Sequence, residues 1–246
     1  MAFNLSSISR GKAERAPRIL MPGVQGIGKS TWAAGAPNPL FLPIIREEGI
    51  DEINAAKTPT INSYGELIAA LSALASDPHD FKTLVIDSVS ALEPLVFDET
   101  CRLHGLAEGQ IERVLGGYGK GYKEALKPWR DVLTALDYLR NERGMGCILI
   151  AHVAVKTFND PTADAPYDTY EVAMQKDGAA ALERWADAIL FANRKVYAKT
   201  VAKTGMGSTE KKIIHATGTG DRVMFTDKRP AHPGKSRYPG MPYELE

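Results

Sequence analysis

The sequence has little that would mark a membrane, secreted or highly charged protein. Its 246 residues include only two cysteines, and its 30 basic and 30 acidic residues give a formal net charge of zero. No apolar run approaches the ~20 residues that a membrane-spanning helix needs. A neutral chain has no overall attraction for nucleic acid, so any such binding would have to come from local patches of charge. What remains is the composition of an ordinary globular protein, with 44% hydrophobic and 24% charged residues.

The two cysteines and the N-terminal residues both favour an intracellular protein. Cys147 lies inside the apolar run 147–151, and Cys101 is the other cysteine. Two reduced cysteines that pack in the interior are the ordinary case inside a cell. Residues 1–18 hold no long apolar core followed by a small-residue cleavage site, so we expect no secretory signal. The expected location is therefore the cytoplasm.

Apolar runs and helical spacings alternate along the chain. Buried strands are predicted at 18–21, 40–45, 82–87 and 147–151, and later strands at 189–201, 211–216 and 222–225. Helices are predicted at 29–36, around 67–74, from about 90, at 128–141 and at 179–186, with a loop at 159–168. This order predicts an α/β fold with a mostly parallel central sheet, flanking helices and an antiparallel C-terminal extension. We expect an N-terminal extension, 1–16, and a single domain, 17–246.

A glycine-rich phosphate-binding motif follows the first predicted strand. Residues 23–30, GVQGIGKS, fit the pattern G-x-x-x-x-G-K-[ST] without a gap. Its glycines allow backbone N–H groups to point at phosphate oxygens. Lys29 is expected to reach the β- and γ-phosphates of ATP, and Ser30 to offer its hydroxyl to Mg²⁺. The predicted nucleotide-binding residues are Gly23, Val24, Gln25, Gly26, Ile27, Gly28, Lys29, Ser30 and Thr31.

Polar residues at the ends of three other predicted strands complete a candidate ATPase site. Asp87 follows an apolar run and is the predicted second magnesium residue. Because the next residue is Ser88 rather than an acid, a base that activates water must come from elsewhere, and Glu47 is the candidate, with Glu48 the alternative. Both could instead belong to a solvated acidic turn. His152 could contact the γ-phosphate or the attacking water, or could simply end its strand.

These elements resemble the RecA-like recombinase core, and more closely the phage AAA-type ATP-binding proteins, stand-alone RecA-like cores regarded as single-strand annealing proteins. The resemblance spans nearly the whole chain, and its more specific stretches lie after the generic phosphate loop. Those stretches are REEG at 46–49, HDFKTLVIDS at 79–88, LEPL at 92–95, GYGKGY at 117–122, LRNERG at 139–144, AH at 151–152, PYDTY at 166–170, WADA at 185–188, TDKRP at 226–230 and KSRY at 235–238. Pro43, in the second predicted strand, departs from the pattern.

The resemblance implies a ring or filament of subunits with ATP at their interfaces and single-stranded DNA along the centre. Two loops, 116–123 and 153–176, would then touch DNA. In the first, Tyr118 and Tyr122 could stack on bases while Lys120 and Lys123 contact phosphates, although a plain surface loop would look the same. The second is less suited to phosphates because it contains three aspartates: Asp160, Asp164 and Asp168.

Other cations are more ambiguous. Arg229, Lys235 and Arg237 could reach the γ-phosphate of a neighbouring subunit, or could be ordinary surface charges. The basic segment 194–212 is more typical of a solvated hairpin than of a DNA groove. The resemblance further implies DNA recombination in a phage-infected bacterium, and leaves open a partner single-strand DNA-binding protein. The alternatives are a nucleotide-dependent switch or loader that acts on a protein, and a small-molecule kinase, although no compact arginine-rich lid follows residues 147–151.

Overall fold

The structure is a computed structural model that describes residues 10–11, 14–47, 49–204, 211–218 and 220–246. For 197–204 and 211–217 the description concerns the backbone of two strands. Glu48, most of the predicted N-terminal extension and part of the basic segment 194–212 lie outside the described residues. Among the described helices, none combines the length and the apolar character needed to cross a membrane.

A seven-stranded, mostly parallel sheet forms the centre of the fold. Its strands are, in chain order, β1 (Arg18–Pro22), β2 (Pro39–Pro43), β3 (Ala56–Lys57), β4 (Thr83–Asp87), β5 (Gly146–Ala151), β8 (Ala188–Ile189) and β13 (Lys235–Ser236). Their order across the sheet is β13-β8-β1-β5-β4-β2-β3, with only β13 antiparallel to its neighbour. Every residue of β4 and β5 is buried, as expected for strands covered on both faces.

Helices cover both faces of this sheet. They are α1 (Lys29–Ala34), α2 (Tyr64–Ser76), α3 (Val89–Leu103), α4 (Lys120–Glu124), α5 (Leu126–Glu142) and α6 (Lys176–Trp185), with a 3₁₀ helix at Ile111–Gly116. Leu84 and Ile86 point into the large core formed with α2, α3, α5 and α6. Val85, between them, packs on the opposite face in a smaller cluster with Ala33 of α1. The alternation of side chains along a strand thus builds a core on each side of the sheet.

The remaining strands form small antiparallel sheets. They are the hairpin β6 (Val153–Phe158) and β7 (Tyr167–Val172), the hairpin β10 (Tyr197–Thr204) and β11 (Lys211–Thr217), and a three-stranded sheet of β9 (Phe191–Arg194), β12 (Arg222–Phe225) and β14 (Glu244–Leu245). The predicted mixed α/β fold, with a mostly parallel sheet, flanking helices and antiparallel additions near the C-terminus, is confirmed.

One local prediction is wrong, and two others differ from the structure by two residues at one end. The strand predicted at 189–201 is three separate strands, because regular strand structure is interrupted at Leu190 and again at 195–196. The loop predicted at 159–168 is present at 159–166, and its last two residues belong to β7. It connects the hairpin of β6 and β7, whose strands pair from Val153↔Val172 to Phe158↔Tyr167. The helix predicted at 29–36 ends at Ala34, where the N–H of Gly35 bonds the carbonyl of Trp32.

The register of the parallel strands brings the predicted site residues to one edge. Pro22 of β1 pairs with Ala151 of β5, so the phosphate loop and His152 both follow at that edge. Asp87 of β4 pairs with Ile150 on one side and with Pro43 of β2 on the other. Open α/β sheets bind ligands at the carboxyl ends of their strands, so a ligand-binding site is expected at this edge.

Candidate nucleotide site

The phosphate loop takes its shape from glycines in backbone conformations that other residues rarely adopt. Gly26 has φ 69° and Gly28 has φ 99°, both in the left-handed region. Gly23 is required for a different reason, since a Cβ there would lie 2.7 Å from the carbonyl oxygen of Ala192 on β9. Substitution at any of these three positions would distort the loop.

The loop leaves a set of backbone donors unpaired. Its entry is fixed by the N–H of Gly23, which donates to Ala151 O at 3.2 Å, and by the N–H of Val24, which donates to Ala192 O at 3.2 Å. Within the described part of the chain, nothing accepts a hydrogen bond from the N–H groups of residues 25–28. Successive free amides in a glycine-rich turn form a cradle for anionic oxygens. The residues present therefore fit a phosphate group.

Lys29 is a buried cation that lacks an anionic hydrogen-bond partner. Its Nζ donates to the carbonyl oxygens of Gly23 at 3.0 Å and Val24 at 3.1 Å. Burial lowers the pKa of Lys29, and the nearby negative charges of Asp87 and Glu47 offset part of that effect. A buried ammonium held only by carbonyls is favourable for binding an anion, because the ligand supplies the missing opposite charge.

Ser30 and Asp87 lie together beside this cation. The Ser30 hydroxyl donates to Oδ2 of Asp87 at 2.5 Å. Burial raises the pKa of Asp87, Ser30 counteracts this, and the negative charge of Glu47 adds to the increase. A hydroxyl and a carboxylate are oxygen ligands of the kind that Mg²⁺ accepts, usually completed by water and substrate phosphates rather than by a full protein cage. The described residues contain no group of three or more histidine, cysteine or acidic side chains arranged to hold a metal.

Glu47 is held by two partners from neighbouring strand ends. Ser88 donates its hydroxyl to Oε1 of Glu47 at 2.6 Å, and Nε2 of His152 lies 2.9 Å from the same oxygen. Burial acts to raise the pKa of Glu47, but the hydrogen bonds from His152 and Ser88 outweigh it, so that the net shift is downward. Glu47 is therefore ionised at neutral pH, as a general base must be.

The backbone fixes Glu47 in this position by a tight turn at the end of β2. The N–H of Glu47 donates to Ile44 O at 3.0 Å, and Arg46 adopts φ 73° to make the turn. Ile44 itself is tied to β4 by its N–H, which donates to Asp87 O at 2.8 Å. Pro43 is compatible with a place in β2 although it has no N–H group. Its carbonyl accepts a hydrogen bond from Ile61 and so faces away from β4, and the N–H of a strand residue points to the same side as its carbonyl. No hydrogen bond to β4 is therefore lost.

His152 is anchored through α3 as well. Its backbone N–H donates to Oγ of Ser90 at 3.0 Å, in the first turn of the helix that begins directly after Ser88. The three strand ends that carry Glu47, Asp87 and His152 are thus connected by hydrogen bonds. The hairpin β6–β7 starts at the residue after His152.

Of the residues predicted to contact DNA, Tyr118 lies in the turn between the 3₁₀ helix and α4, and the other three lie in α4. Tyr118 is 98% exposed with φ 54°, and Lys123 is also exposed. Lys120 donates to the carbonyl of Leu115 at 3.3 Å. Tyr122 is different, because its ring packs edge-on against Phe97 and its hydroxyl donates to Glu112 at 3.0 Å. Of the two tyrosines, only Tyr118 presents a free ring.

The three C-terminal cations have partners other than the phosphate loop of their own chain. Lys235 and Arg237 lie near Asp187, which binds Arg18 at the opposite end of β1. Lys235 donates to backbone carbonyls at the end of α6, including Ala186 O at 2.6 Å. Arg229 lies over the ring of Tyr243, with 4.3 Å from its Cζ to the ring centroid. Contact with a neighbouring subunit's nucleotide stays a prediction.

Three residues near the site carried no signal that the sequence analysis used. Ser88 caps the N-terminus of α3 and binds Glu47, neither of which its place in the sequence indicates. Trp32 and Arg222 line a cavity beside the phosphate loop. Trp32 could have been suspected from its place directly after the motif, whereas Arg222 lies almost 200 residues further along the chain.

Comparison with known proteins identifies the family. A family model described as an AAA domain matches residues 15–238. No curated protein sequence matches the chain. Among solved structures, that of the RadB recombinase shares 13% sequence identity, with 86% of this chain and 81% of that chain covered and a TM-score of 0.44. The family match extends over most of the chain, whereas the structural similarity is too distant to add to it.

Proposed function

The chain belongs to the AAA-domain family, and we propose that it is an ATPase of DNA recombination. In this proposal it binds single-stranded DNA when ATP and Mg²⁺ are bound. ATPase activity is supported mainly by one observation: Lys29, the Ser30–Asp87 pair and Glu47 lie close together at one edge of the sheet. A cation for phosphates, oxygen ligands for a metal and an ionised carboxylate are the components that ATP hydrolysis requires.

Each of these residues has a distinct role in the proposed reaction. The free amides of residues 25–28 and the ammonium of Lys29 bind the phosphate chain of ATP. Ser30 and Asp87 would hold Mg²⁺, which supplies charge neutralisation on the phosphates when bound. Glu47 accepts a proton from the attacking water, and Ser88 and His152 keep its carboxylate ionised and oriented. These groups act in a partly buried site, where electrostatic interactions are stronger than in water.

The DNA part of the proposal rests on the chain-long resemblance to phage annealing proteins and on the surface around Tyr118. An exposed aromatic ring with Lys120 and Lys123 nearby suits stacking on a base and contact with phosphates. We extend the proposal to single-strand annealing in a phage-infected bacterium, by a ring or filament of subunits. In such an assembly Arg229, Lys235 or Arg237 could approach the ATP of a neighbour, and a single-strand DNA-binding protein could be a partner.

A nucleotide-dependent switch is the second candidate, favoured by one observation. Oε1 of Glu47 is already engaged by both Ser88 and His152, which suits a protein that hydrolyses ATP slowly and responds mainly to its binding. A small-molecule kinase is disfavoured, because residues 153–172, which follow β5, contain no arginine to close over a second substrate.

ATP hydrolysis measured with and without single-stranded DNA distinguishes these functions. The proposal predicts slow hydrolysis that DNA accelerates and that Glu47→Gln abolishes while ATP still binds. Hydrolysis that DNA does not change, with ATP bound normally, would favour the switch. Transfer of the γ-phosphate to a small acceptor in place of water would identify a kinase. Failure to bind ATP at all would overturn the whole proposal.

A further inference from the structure

A cavity of about 260 Å³ opens directly beside the phosphate loop. Its lining includes Gly28 and Lys29 from the loop region, Thr31 and Trp32 from α1, and Arg222 from β12. One end of the cavity is therefore formed by the residues that would bind phosphates. The other end is formed by a strand of the small C-terminal sheet, to which the sequence analysis assigned no role at the site.

Arg222 lies closer to the phosphate loop than its place in the sequence suggests. A Cβ built on Gly28 would lie 2.7 Å from one terminal guanidinium nitrogen of Arg222. The guanidinium thus lies against the backbone of the last glycine before Lys29. A side chain at position 28 would have to displace this guanidinium, whereas the φ of 99° is what requires glycine there.

The fold fixes the position of Arg222 while leaving its side chain unpaired. β12 pairs antiparallel with β9, with Arg222 opposite Arg194 and Val223 opposite Asn193. Val223, the next residue, is buried, and β9 in turn contacts the loop through Ala192. Within the described ranges, however, no side chain or carbonyl forms a hydrogen bond or ion pair with the guanidinium of Arg222. A positioned cation with unused donors beside an anion cradle calls for an anionic ligand.

The rest of the cavity suits the remainder of a nucleotide. Met21, Ile27 and Ala192 form a buried apolar cluster, with Met224 packed against it. These residues line the cavity together with the partly exposed ring of Trp32. Glu246 is the acid in the lining, and its carboxylate is neutralised by Lys195 at 2.6 Å. An apolar wall with cations at one end matches a ligand that has a flat, weakly polar part and a phosphate chain.

We propose that Arg222 binds the phosphate chain of the nucleotide in its own subunit, as a second cation beside Lys29, with the base against the apolar wall of the same cavity. The inference rests on the proposed function, since it concerns the same nucleotide. It goes further by assigning a binding role to β12 and by making the small C-terminal sheet part of the site. Binding of ATP would then tie that sheet to the phosphate loop.

Calorimetric titration with ATP and with ADP, in the presence of Mg²⁺, tests this assignment. Arg222→Ala should raise the Kd of both nucleotides about 10- to 100-fold, the loss expected for hydrogen bonds to a charged group. Arg222→Lys should recover part of that loss, because it keeps the charge but not the forked donors. The matched control is Arg194→Ala, the partner across the strand pair, whose guanidinium donates to Gly220 O at 2.9 Å.

The outcomes separate this inference from the function on which it rests. Unchanged Kd values in Arg222→Ala, with wild-type protein binding ATP, would overturn the inference and leave the proposed function standing. An equal loss in Arg194→Ala would also overturn it, because the effect would then come from the sheet and not from the cation. Wild-type protein that binds neither nucleotide would overturn both. Thermal melting of each variant shows whether the fold is intact.

Discussion

The hydroxyl of Ser88 donates a hydrogen bond of 2.6 Å to Oε1 of Glu47, the same oxygen that lies 2.9 Å from Nε2 of His152. One carboxylate oxygen thus joins the ends of three neighbouring strands, β2, β4 and β5. This gives the candidate base its orientation and keeps it ionised. Substitution of Ser88 or of His152 therefore removes a hydrogen bond from Glu47, and substitution of Glu47 removes one from both.

Ser88→Ala should slow ATP hydrolysis about tenfold while leaving the Kd for ATP unchanged. The expected loss is that of one hydrogen bond to a charged group, about 1.4 kcal/mol in the barrier. Steady-state and single-turnover measurements separate the chemical step from binding. Because the Ser88 hydroxyl also accepts the N–H of Ala91 at the start of α3, the control is Ser63→Ala, which removes the corresponding cap of α2 far from Glu47. Equal slowing in both variants would contradict the role of Ser88.

The pH dependence of hydrolysis should shift in the same variant. The base must be ionised, and the bonds from His152 and Ser88 hold the pKa of Glu47 below its usual value. Activity is therefore present above that pKa and is lost as the pH falls through it. Removing the Ser88 hydroxyl raises the pKa of Glu47, so the loss should begin at a higher pH than in the wild type. An acid limb that stays in place would exclude Glu47 as the group that titrates.

Tyr118→Ala should weaken binding of single-stranded DNA about 5- to 100-fold, the range for loss of one stacked base. Its ring is almost fully exposed, so the substitution should leave the melting temperature unchanged. The matched control is Tyr138→Ala on α5, a tyrosine that is half exposed. Fluorescence anisotropy with a labelled oligonucleotide measures both. If the two variants bind alike, the surface around Tyr118 does not contact DNA.

Asp187→Asn should destabilise the protein by about 3 kcal/mol, because it removes the charge that three arginines share. Asp187 is buried and accepts hydrogen bonds from the guanidinium groups of Arg18, Arg140 and Arg237, at distances from 2.8 to 3.2 Å. Asp51→Asn, in an exposed pair with Lys57, should change the free energy of unfolding by less than about 1 kcal/mol. Chemical denaturation measures both, and a similar effect at the two sites would show that the arginine cluster adds little.

The stability of the wild type should also depend on Asp187 at low pH. Burial acts to raise the pKa of this carboxyl, but the arginines, led by Arg18, outweigh it and hold the pKa below its usual value. The contribution is therefore complete above the unfolded pKa of about 3.9 and is lost as the pH falls through the lower, folded value. The Asp187→Asn variant should lack the loss of stability that follows from protonation of Asp187. If acid unfolding of the variant is the same as that of the wild type, Asp187 is not the group responsible.

The positions of site residues that follow strands could be predicted, because short stretches of sequence next to them indicate a loop or a strand end. The glycines of the motif at 23–30 determine the shape of the loop locally. Asp87 and His152 each follow an apolar run that is typical of a strand in a parallel sheet. The order of the strands then decides that these residues meet. The same reasoning places Glu47 or Glu48 at this edge, but nothing in the sequence distinguishes the two.

Contacts that depend on distant parts of the chain could not be predicted. Arg222 reaches Gly28 only because β12 pairs with β9, and β9 packs on the phosphate loop through Ala192. The hairpin β6–β7 was missed because the Asn, Asp and Pro residues of its turn dominate the local composition and conceal the pairing of its flanks. Ser88 was missed because a serine after a strand has many ordinary roles.

Binding of a labelled single-stranded oligonucleotide, with and without ATP and Mg²⁺ across a salt series, tests the central claim most directly. The account predicts binding that requires ATP, weakens as salt rises because phosphate contacts release counterions, and is lost in Lys29→Ala. No DNA binding under any nucleotide condition, by a protein that still binds ATP, would contradict it.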